Sequence, residues 1–397
     1  SIAEDIADNA SITQDASEGG AGFLAQWAET DLRHIMASPD DIERGLGNIL
    51  PILGDYYPVN YGLHELVKYH SSHDKVGALN DGPRLPEMIG DPNAWYSRRR
   101  TMLANALIMF SPGAPLIFMG DEMYSTRSFT EHVGEGIDWT LPSRNQGFLE
   151  FSRDLFTLKK RAPALHENHL EISATQESDN MISWRRWGNN GEVIVFAANF
   201  SVDDKDFSVP FPDNGEWHEV INSTWSHYGQ FDEANNRTFT VSDNWAQLRV
   251  PGYSIIAMST NLELPPGRVW DVVPVDRGYS SGNTVTLKWG AAPRAESYDV
   301  YVGSSETAVR EAGDSSAEFR GNTAGTSLDL SGVTTGETVF WRVDSHNAIC
   351  STRSDVFRFE HRGTDLGGSG RVIWSPARPR PGDAVTVIYI PSGGILQ

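Results

Sequence analysis

The pattern of hydrophobic and polar residues changes at about residue 164. Before that point, short apolar runs such as LVKYHSSHD (66–74) and APLIFMGDE (114–122) are typical of strands that end in acidic residues. Two longer segments, NAWYSRRRTMLANALIMF (93–110) and GFLEFSRDLFTLKKRAP (147–163), carry apolar residues at helical spacing. Strands that alternate with helices and end in acidic residues predict a parallel sheet or barrel over residues 1–163.

The spacing of apolar residues becomes two in the second part of the chain. MISWRRWGNNGEVIVFAANFS (181–201) predicts a hairpin with Asn-Asn-Gly in its turn, and further short strands predict an antiparallel sandwich over residues 164–260. Residues 264–362 follow a Pro-rich linker and resemble a fibronectin type III module. Residues 371–397 follow a Gly-rich linker and resemble the start of a truncated starch-binding module.

Composition and charge narrow the range of ligands. The formal net charge of −21 over 397 residues argues against nucleic acid, because phosphate binding requires clustered Lys and Arg. An uncharged ligand such as a sugar remains open, and the twelve Trp and twelve Tyr suit one, although aromatic residues are also common in cores. The single cysteine, Cys350, excludes an intrachain disulfide and a thiolate metal cluster. No apolar run has the length of a membrane span, so no membrane partner is predicted.

Acidic residues end three of the predicted strands, at Glu4, at Asp74 and at the Asp121–Glu122 pair. Splitting a glycosidic bond requires a carboxylic acid that protonates the leaving oxygen and a carboxylate that faces the anomeric carbon. Each acidic residue taken alone is better explained by a salt bridge or a turn acceptor; it is their order and spacing that favour chemistry. For the adjacent His73 and Asp74, the plain alternative is that His73 caps a turn and Asp74 accepts loop N–H groups.

The order of the motifs resembles a known family. IAED, GGAGF (19–23) with Trp27, SHDKVG (72–77), and PGAPLIFMGDE followed by IDWTL together resemble the later half of an α-amylase-superfamily catalytic barrel. The variant to which they are most similar is the 1,4-α-glucan branching enzyme, and the following sandwich resembles the C-terminal β-domain of that family. The resemblance therefore implies a multidomain fold: the C-terminal half of a (β/α)8 barrel, with strands five to eight in residues 1–163, followed by all-β sandwich domains.

The resemblance also implies roles for four residues. By position, Glu4 would be the general acid/base and Asp74 the carboxylate that stabilises the transition state and holds sugar hydroxyls. His73 would hydrogen-bond the same sugar. Trp27 matches an aromatic position near the sixth strand, where it would stack on sugar or, as an equally weighted alternative, pack between barrel and helix. Glu122 is expected to be a structural acceptor.

One catalytic group of the family has no counterpart in these residues. The nucleophile is an aspartate in a G-F-R-x-D pattern on the fourth strand, which would precede Ser1. The nearest imitation, WRVDSHN (341–347), lies in the fibronectin-like part, so Asp344 is not expected to be the nucleophile. Lys75 also departs from the Glu that branching enzymes usually carry. The fragment alone is therefore expected to be inactive, with strand edges that a closed barrel would bury.

Functions from different classes remain open on the sequence. The first is a retaining enzyme on α-1,4-glucans, either a branching transferase or a secreted α-amylase-type endo-hydrolase. The second is a non-catalytic carbohydrate-binding protein, which an upstream G-F-R-x-D strand would argue against. A purely adhesive protein accounts for the fibronectin-like part alone. An α-glucan polysaccharide is the expected partner and an extracellular location is expected. No cofactor or metal is predicted: calcium occurs in the superfamily, but no acidic cage is visible.

Overall fold

The structure, a computed structural model, describes residues 1–4, 9–54, 60–77, 82–128, 136–230, 238–363, 371–375 and 386–390. The chain divides into two compact units, Ser1–Leu264 and Pro265–Gln397. Among the helices in these ranges, none combines the length and the apolar character that crossing a bilayer would require.

The first unit begins with four parallel strands that pair in chain order. The strands are β1 (Ile2–Ala3), β2 (Ala25–Glu29), β3 (Leu66–Tyr69) and β4 (Ala114–Pro115). Helices connect or follow the last three: α1 (Leu32–Ala37), α2 (Leu46–Leu53), α3 (Leu85–Ile89), α4 (Trp95–Phe110), α5 (Leu141–Arg144) and α6 (Gln146–Arg161). Parallel strands joined by helical connections are the architecture of an α/β barrel. The predicted fold class, half of a (β/α)8 barrel followed by all-β domains, is confirmed.

The two long helices form where the sequence predicts them. In α6, Phe148, Phe151, Leu155 and Leu158 recur at helical spacing and are all buried, while basic residues occupy the last turn. Every residue of α4 from Thr101 to Phe110 is buried. A helix that is buried on all sides needs apolar partners on more than one face, and the β-domain supplies the second.

Two predicted strands are shorter than the sequence suggests. The apolar pattern predicts a strand over 66–74 that ends at Asp74, but β3 ends at Tyr69. The carbonyl of Ser72 then accepts the N–H groups of Lys75 and Val76 at 3.2 and 3.1 Å. The run 114–122 likewise leaves the sheet after Pro115 and ends in a single 3-10 turn at Asp121–Met123. Beyond the ends of β3 and β4, a side-chain hydrogen bond from Ser71 to Asp121 joins the two segments where the apolar pattern predicts strand pairing.

An antiparallel sandwich completes the first unit. Six strands form one sheet in the order β10-β9-β12-β7-β6-β5, and β8 pairs with β11 in a second sheet. The strands are β5 (Leu170–Gln176), β6 (Met181–Trp187), β7 (Val193–Asn199), β8 (Lys205–Pro210), β9 (Gly215–Asn222), β10 (Thr238–Val241), β11 (Trp245–Val250) and β12 (Ser254–Ser259). The predicted hairpin is the β6–β7 pair.

The six-stranded sheet is covered on both faces. On one face, Val195, Ala197 and Met258 pack against Phe207 and Leu248 of the smaller sheet. On the other face, a second set of sheet residues joins the helices of the half-barrel in one apolar cluster; its members include Trp184, Phe196 and Ile255 from the sheet, and Leu107, Phe110 and Phe151 from the helices. The helices and the sandwich therefore share a hydrophobic core.

The second unit contains its own all-β core. Its strands are β13 (Gly278–Ser280), β14 (Thr284–Lys288), β15 (Ser297–Gly303), β16 (Phe319–Thr323), β17 (Ser327–Ser331), β18 (Thr338–His346), β19 (Ser351–Arg353), β20 (Phe357–His361), β21 (Arg371–Ser375) and β22 (Thr386–Ile390), with one helix, α7 (Glu306–Glu311). Trp289, Val300 and Trp341 lie in its core. Of the predicted starch-binding start, only the backbone of the β21–β22 hairpin falls within the described residues.

Candidate active site

The sheet places Glu4 at the carboxyl end of β1. Ile2 and Ala3 pair with Ala25 and Gln26 of β2, so Glu4 follows directly where β1 ends. Its side chain is 54% exposed. Active sites of α/β barrels lie at this end of the strands, because the loops that follow each strand converge there.

His73 and Asp74 lie at the same end of the sheet, in the turn after β3. The Nε2 atom of His73 is 3.8 Å from Oε1 of Glu4 and 3.4 Å from Oδ1 of Asp74. One ligand atom from each of the three residues lies within 4.8 Å of the other two. The structure thus brings together three of the four side chains that the sequence singles out, although they come from two separate segments of the chain.

Trp27 lies beside this cluster on β2. Its ring centroid is 6.2 Å from that of His73 and 5.2 Å from that of Tyr69, both with edge-to-face geometry. Tyr69 is buried at the end of β3, whereas Trp27 is half-buried. Trp27 therefore supports the His73 ring from one side, and its partial exposure leaves both roles considered from the sequence open.

Arg33 of α1 anchors the turn that carries His73 and Asp74. The buried Arg33 guanidinium donates to the carbonyls of Lys75 and Pro83, at the two ends of the segment that follows the turn. The sequence pattern does not single out Arg33, because α1 has only six residues and carries a second basic residue, His34.

A buried ion pair contacts the segment that leads into the turn. Arg84 donates through Nη1 to Oδ1 of Asp121 at 2.6 Å, and Ser71 donates to the other carboxylate oxygen. The sequence marked Asp121 as an acidic strand end without assigning it a task. Its neighbour Glu122 accepts the N–H of Gly120 at 2.7 Å, which is the structural role expected for it.

The donor set of the cluster bears on the metal question. Two carboxylates and one imidazole form the group of Glu4, His73 and Asp74. Calcium prefers six to eight oxygen ligands, so an imidazole and two exposed carboxylates do not fit a calcium cage.

Asp344 lies in the second unit, on β18. It pairs with the buried guanidinium of Arg342 at 2.8 Å, and burial raises the pKa of this carboxyl group above its usual range. Arg342 also donates to carbonyls at the end of α7. These contacts describe a carboxylate that holds a strand and a helix together.

Comparison with known proteins identifies the relatives of the chain. Residues 172–261 match the family described as "Alpha amylase, C-terminal all-beta domain". The chain is 26% identical over 283 residues to the 1,4-alpha-glucan branching enzyme GlgB of Cutibacterium acnes, covering 68% of this chain and 42% of that protein. It is 30% identical over 241 residues to GlgB of Bradyrhizobium sp., covering 56% and 32% respectively. The chain thus spans less than half the length of these relatives.

Solved structures give a weaker likeness. A pullulanase from Anoxybacillus sp. complexed with maltotetraose superimposes with a TM-score of 0.46 at 18% identity, over 63% of this chain and 37% of that one. A pullulanase from Bacillus acidopullulyticus gives 0.45 at 16% identity, over 59% and 30%. The likeness rests instead on the family match, the branching-enzyme relatives and the parallel half-barrel that precedes the β-domain. Residues 172–261 match the α-amylase C-terminal domain family, and the chain is similar to a C-terminal portion of α-amylase-superfamily proteins.

Proposed function

We propose that the protein containing this chain acts on α-1,4-glucans by a retaining double displacement, with Glu4 as general acid/base. The observation that carries the proposal is the convergence of Glu4, His73 and Asp74 at the carboxyl end of the parallel strands, within 4.8 Å of one another. Retaining glycosidic cleavage requires a general acid and a carboxylate nucleophile on either side of the scissile bond, and Glu4 would supply the acid.

Each residue has a distinct task in this mechanism. Glu4 donates its proton to the glycosidic oxygen as the bond to the anomeric carbon breaks, while a carboxylate nucleophile forms the covalent glycosyl intermediate. Glu4 then removes a proton from the incoming hydroxyl, which attacks the anomeric carbon and releases the nucleophile. Asp74 and His73 bind hydroxyl groups of the same sugar. We place the nucleophile on an aspartate upstream of Ser1.

Branching is the favoured form of this activity. The relatives matched over two thirds of the chain are named 1,4-alpha-glucan branching enzymes. In branching, the incoming hydroxyl belongs to a second glucan; in an endo-hydrolase, it belongs to water. The fibronectin-like and starch-binding-like segments favour an extracellular protein, which we also propose.

Substitution of the acid tests the proposal. In the full-length gene product, Glu4→Gln should lower kcat on amylose by about 10²–10⁴-fold and leave glucan binding nearly unchanged, because the amide keeps the shape of the side chain but cannot donate the proton. Glu122→Gln is the matched control, since Glu122 accepts a backbone N–H at the same end of the sheet. Asp74→Asn should weaken both turnover and binding. Full activity of Glu4→Gln would overturn the assignment.

The 397-residue chain provides a second test. Incubated with amylose, it should release no reducing ends and leave iodine staining unchanged, because the proposed nucleophile is not in it. Turnover that depends on Glu4 would show that a nucleophile is present among these residues, and our placement of it would be wrong.

A further inference from the structure

We infer that Asp121 is a positioning residue for the turn that carries His73 and Asp74, and that it acts through Ser71 while Arg84 balances its charge. The inference deepens the proposed function, since it concerns the same site. None of the three residues touches the cluster of Glu4, His73 and Asp74 directly in the contacts described above.

Asp121 is a buried carboxylate with both oxygens engaged. Oδ2 accepts the hydroxyl of Ser71, and Oδ1 accepts Nη1 of Arg84 at 2.6 Å. The side chains of Arg84 and Asp121 are only 4% and 7% exposed. Hydrogen bonds to a charged, buried group are roughly twice as strong as neutral ones and fix geometry closely.

Arg84 is itself fixed by the connection after β4. Its Nη2 donates to the carbonyl of Met119 at 2.8 Å, its Nε donates to that of Arg127 at 2.7 Å, and its guanidinium lies 5.2 Å from the centre of the Phe118 ring. Because three separate donors of one planar group are engaged, the group has one orientation. Arg84 therefore fixes the position of the Asp121 carboxylate that accepts the Ser71 hydroxyl.

The turn needs such support because its functional side chains are exposed. His73 and Asp74 are 48% and 58% exposed, so their own packing fixes them only weakly. Ser71 precedes His73 by two residues and is buried, and Arg33 holds the carbonyl of Lys75 just after Asp74. The pair thus lies between two buried anchors, one on each side along the chain.

Small displacements of such a turn lower the rate of turnover strongly. A shift of about 1 Å at a reacting group, caused by a change away from the chemistry, can cost on the order of 10²-fold in rate. Loss of the Ser71 contact frees one end of the turn and leaves the anchor at Lys75 in place. We therefore expect loss of the Ser71 contact to lower kcat by about tenfold.

Hydrogen exchange on the 397-residue chain tests the positioning role without any activity. Ser71→Ala removes the hydrogen bond from Ser71 to Asp121 but keeps the Arg84–Asp121 ion pair. Asp121→Asn weakens both the hydrogen bond and the ion pair. Both variants should accelerate exchange at the amides of Lys75 and Val76, which donate to Ser72, by about tenfold or more. Amides in the middle of α4 should exchange as in the wild type.

A matched control removes an equally buried Arg–carboxylate pair from the second unit. Arg342 and Asp344 lie 2.8 Å apart with side chains 0% and 9% exposed. Asp344→Asn should therefore destabilise its own unit while leaving exchange at Lys75 and Val76 unchanged.

Turnover by the full-length gene product gives the second readout. Ser71→Ala should lower kcat about tenfold with a smaller change in KM, and Ser71→Ala combined with Asp121→Asn should be no worse than the poorer single variant, because both act through one contact. Asp344→Asn should keep wild-type turnover.

The outcomes separate this inference from the proposed function. Wild-type exchange at Lys75 and Val76 in Ser71→Ala would overturn the positioning role, even if Asp121→Asn fails to fold. Additive losses of kcat in the double variant would also overturn it. Absence of glucan turnover in the wild-type protein would sink the proposed function, and hydrogen exchange alone would then decide the positioning role.

Discussion

Lys159 illustrates how much of the first unit depends on buried cations. Its ammonium group donates to the carbonyls of Ser111, Gly113 and Leu165 at 3.4, 3.3 and 3.0 Å. Burial, and then the charge of Arg186, lowers its pKa to about 7. Arg186 donates to carbonyls on both sides of the boundary between half-barrel and sandwich, among them those of Phe110 and His169. These two side chains hold the end of α4 and the start of the β-domain.

The lowered pKa of Lys159 predicts a pH-dependent stability. From about pH 7 upwards to the usual lysine range, the folded chain has a neutral Lys159 while the unfolded chain keeps its proton, so the free energy of unfolding rises with pH over this interval. Each unit of pKa difference corresponds to about 1.4 kcal/mol. Lys159→Met should remove this rise, whereas Lys160→Met, at an exposed neighbour, should keep it. Urea unfolding between pH 7 and 10 measures the free energy of unfolding as a function of pH. If the wild type and Lys159→Met show the same dependence on pH, the prediction is wrong.

At the scale of elements, the close approach of α6 to the β-domain predicts opposite effects for two glycines. A Cβ atom on Gly147 would lie 2.4 Å from the carbonyl carbon of Tyr228, whereas one on Gly47 in α2 would meet nothing within 4 Å. Gly147→Ala should therefore destabilise the chain by about 1–3 kcal/mol through overpacking. Gly47→Ala should stabilise it by up to about 1 kcal/mol, because alanine favours a helix. Chemical denaturation of both variants checks the signs, and a stabilised Gly147→Ala would contradict the packing described here.

The sequence predicts those elements that are long enough to show a period. Helices α4 and α6 repeat their apolar residues over four turns, whereas α1, α3 and α5 have only four to six residues and leave no period to detect. The order of the motifs in the sequence predicts that Glu4, His73 and Asp74 belong to one site. It could not reveal that Asp121 meets Arg84 and Ser71, because those contacts join segments 37 and 50 residues apart and exist only after folding.

At the scale of the whole molecule, the shared core predicts where the chain can be divided. The helices of the half-barrel bury their apolar faces against Trp184, Phe196 and Ile255 of the sandwich. A fragment of residues 1–163 loses these partners and should show no cooperative thermal transition, whereas Ser1–Leu264 keeps them and should unfold cooperatively. Calorimetry of the two fragments tests this, and a sharp transition in residues 1–163 would contradict it.

The place of β12 in the sheet has a consequence for synthesis on the ribosome. β12 is the last strand of the first unit in the chain, but it lies between β9 and β7 and pairs with both. Until Ser254–Ser259 leaves the exit tunnel, β9 and β7 each present an unpaired edge, and α4 lacks the part of its apolar cover that Ile255 and Ala257 supply. At about 5–20 residues per second, the nascent chain carries these surfaces for many seconds. We therefore expect chaperones that recognise apolar segments to bind the nascent chain until β12 pairs with β9 and β7.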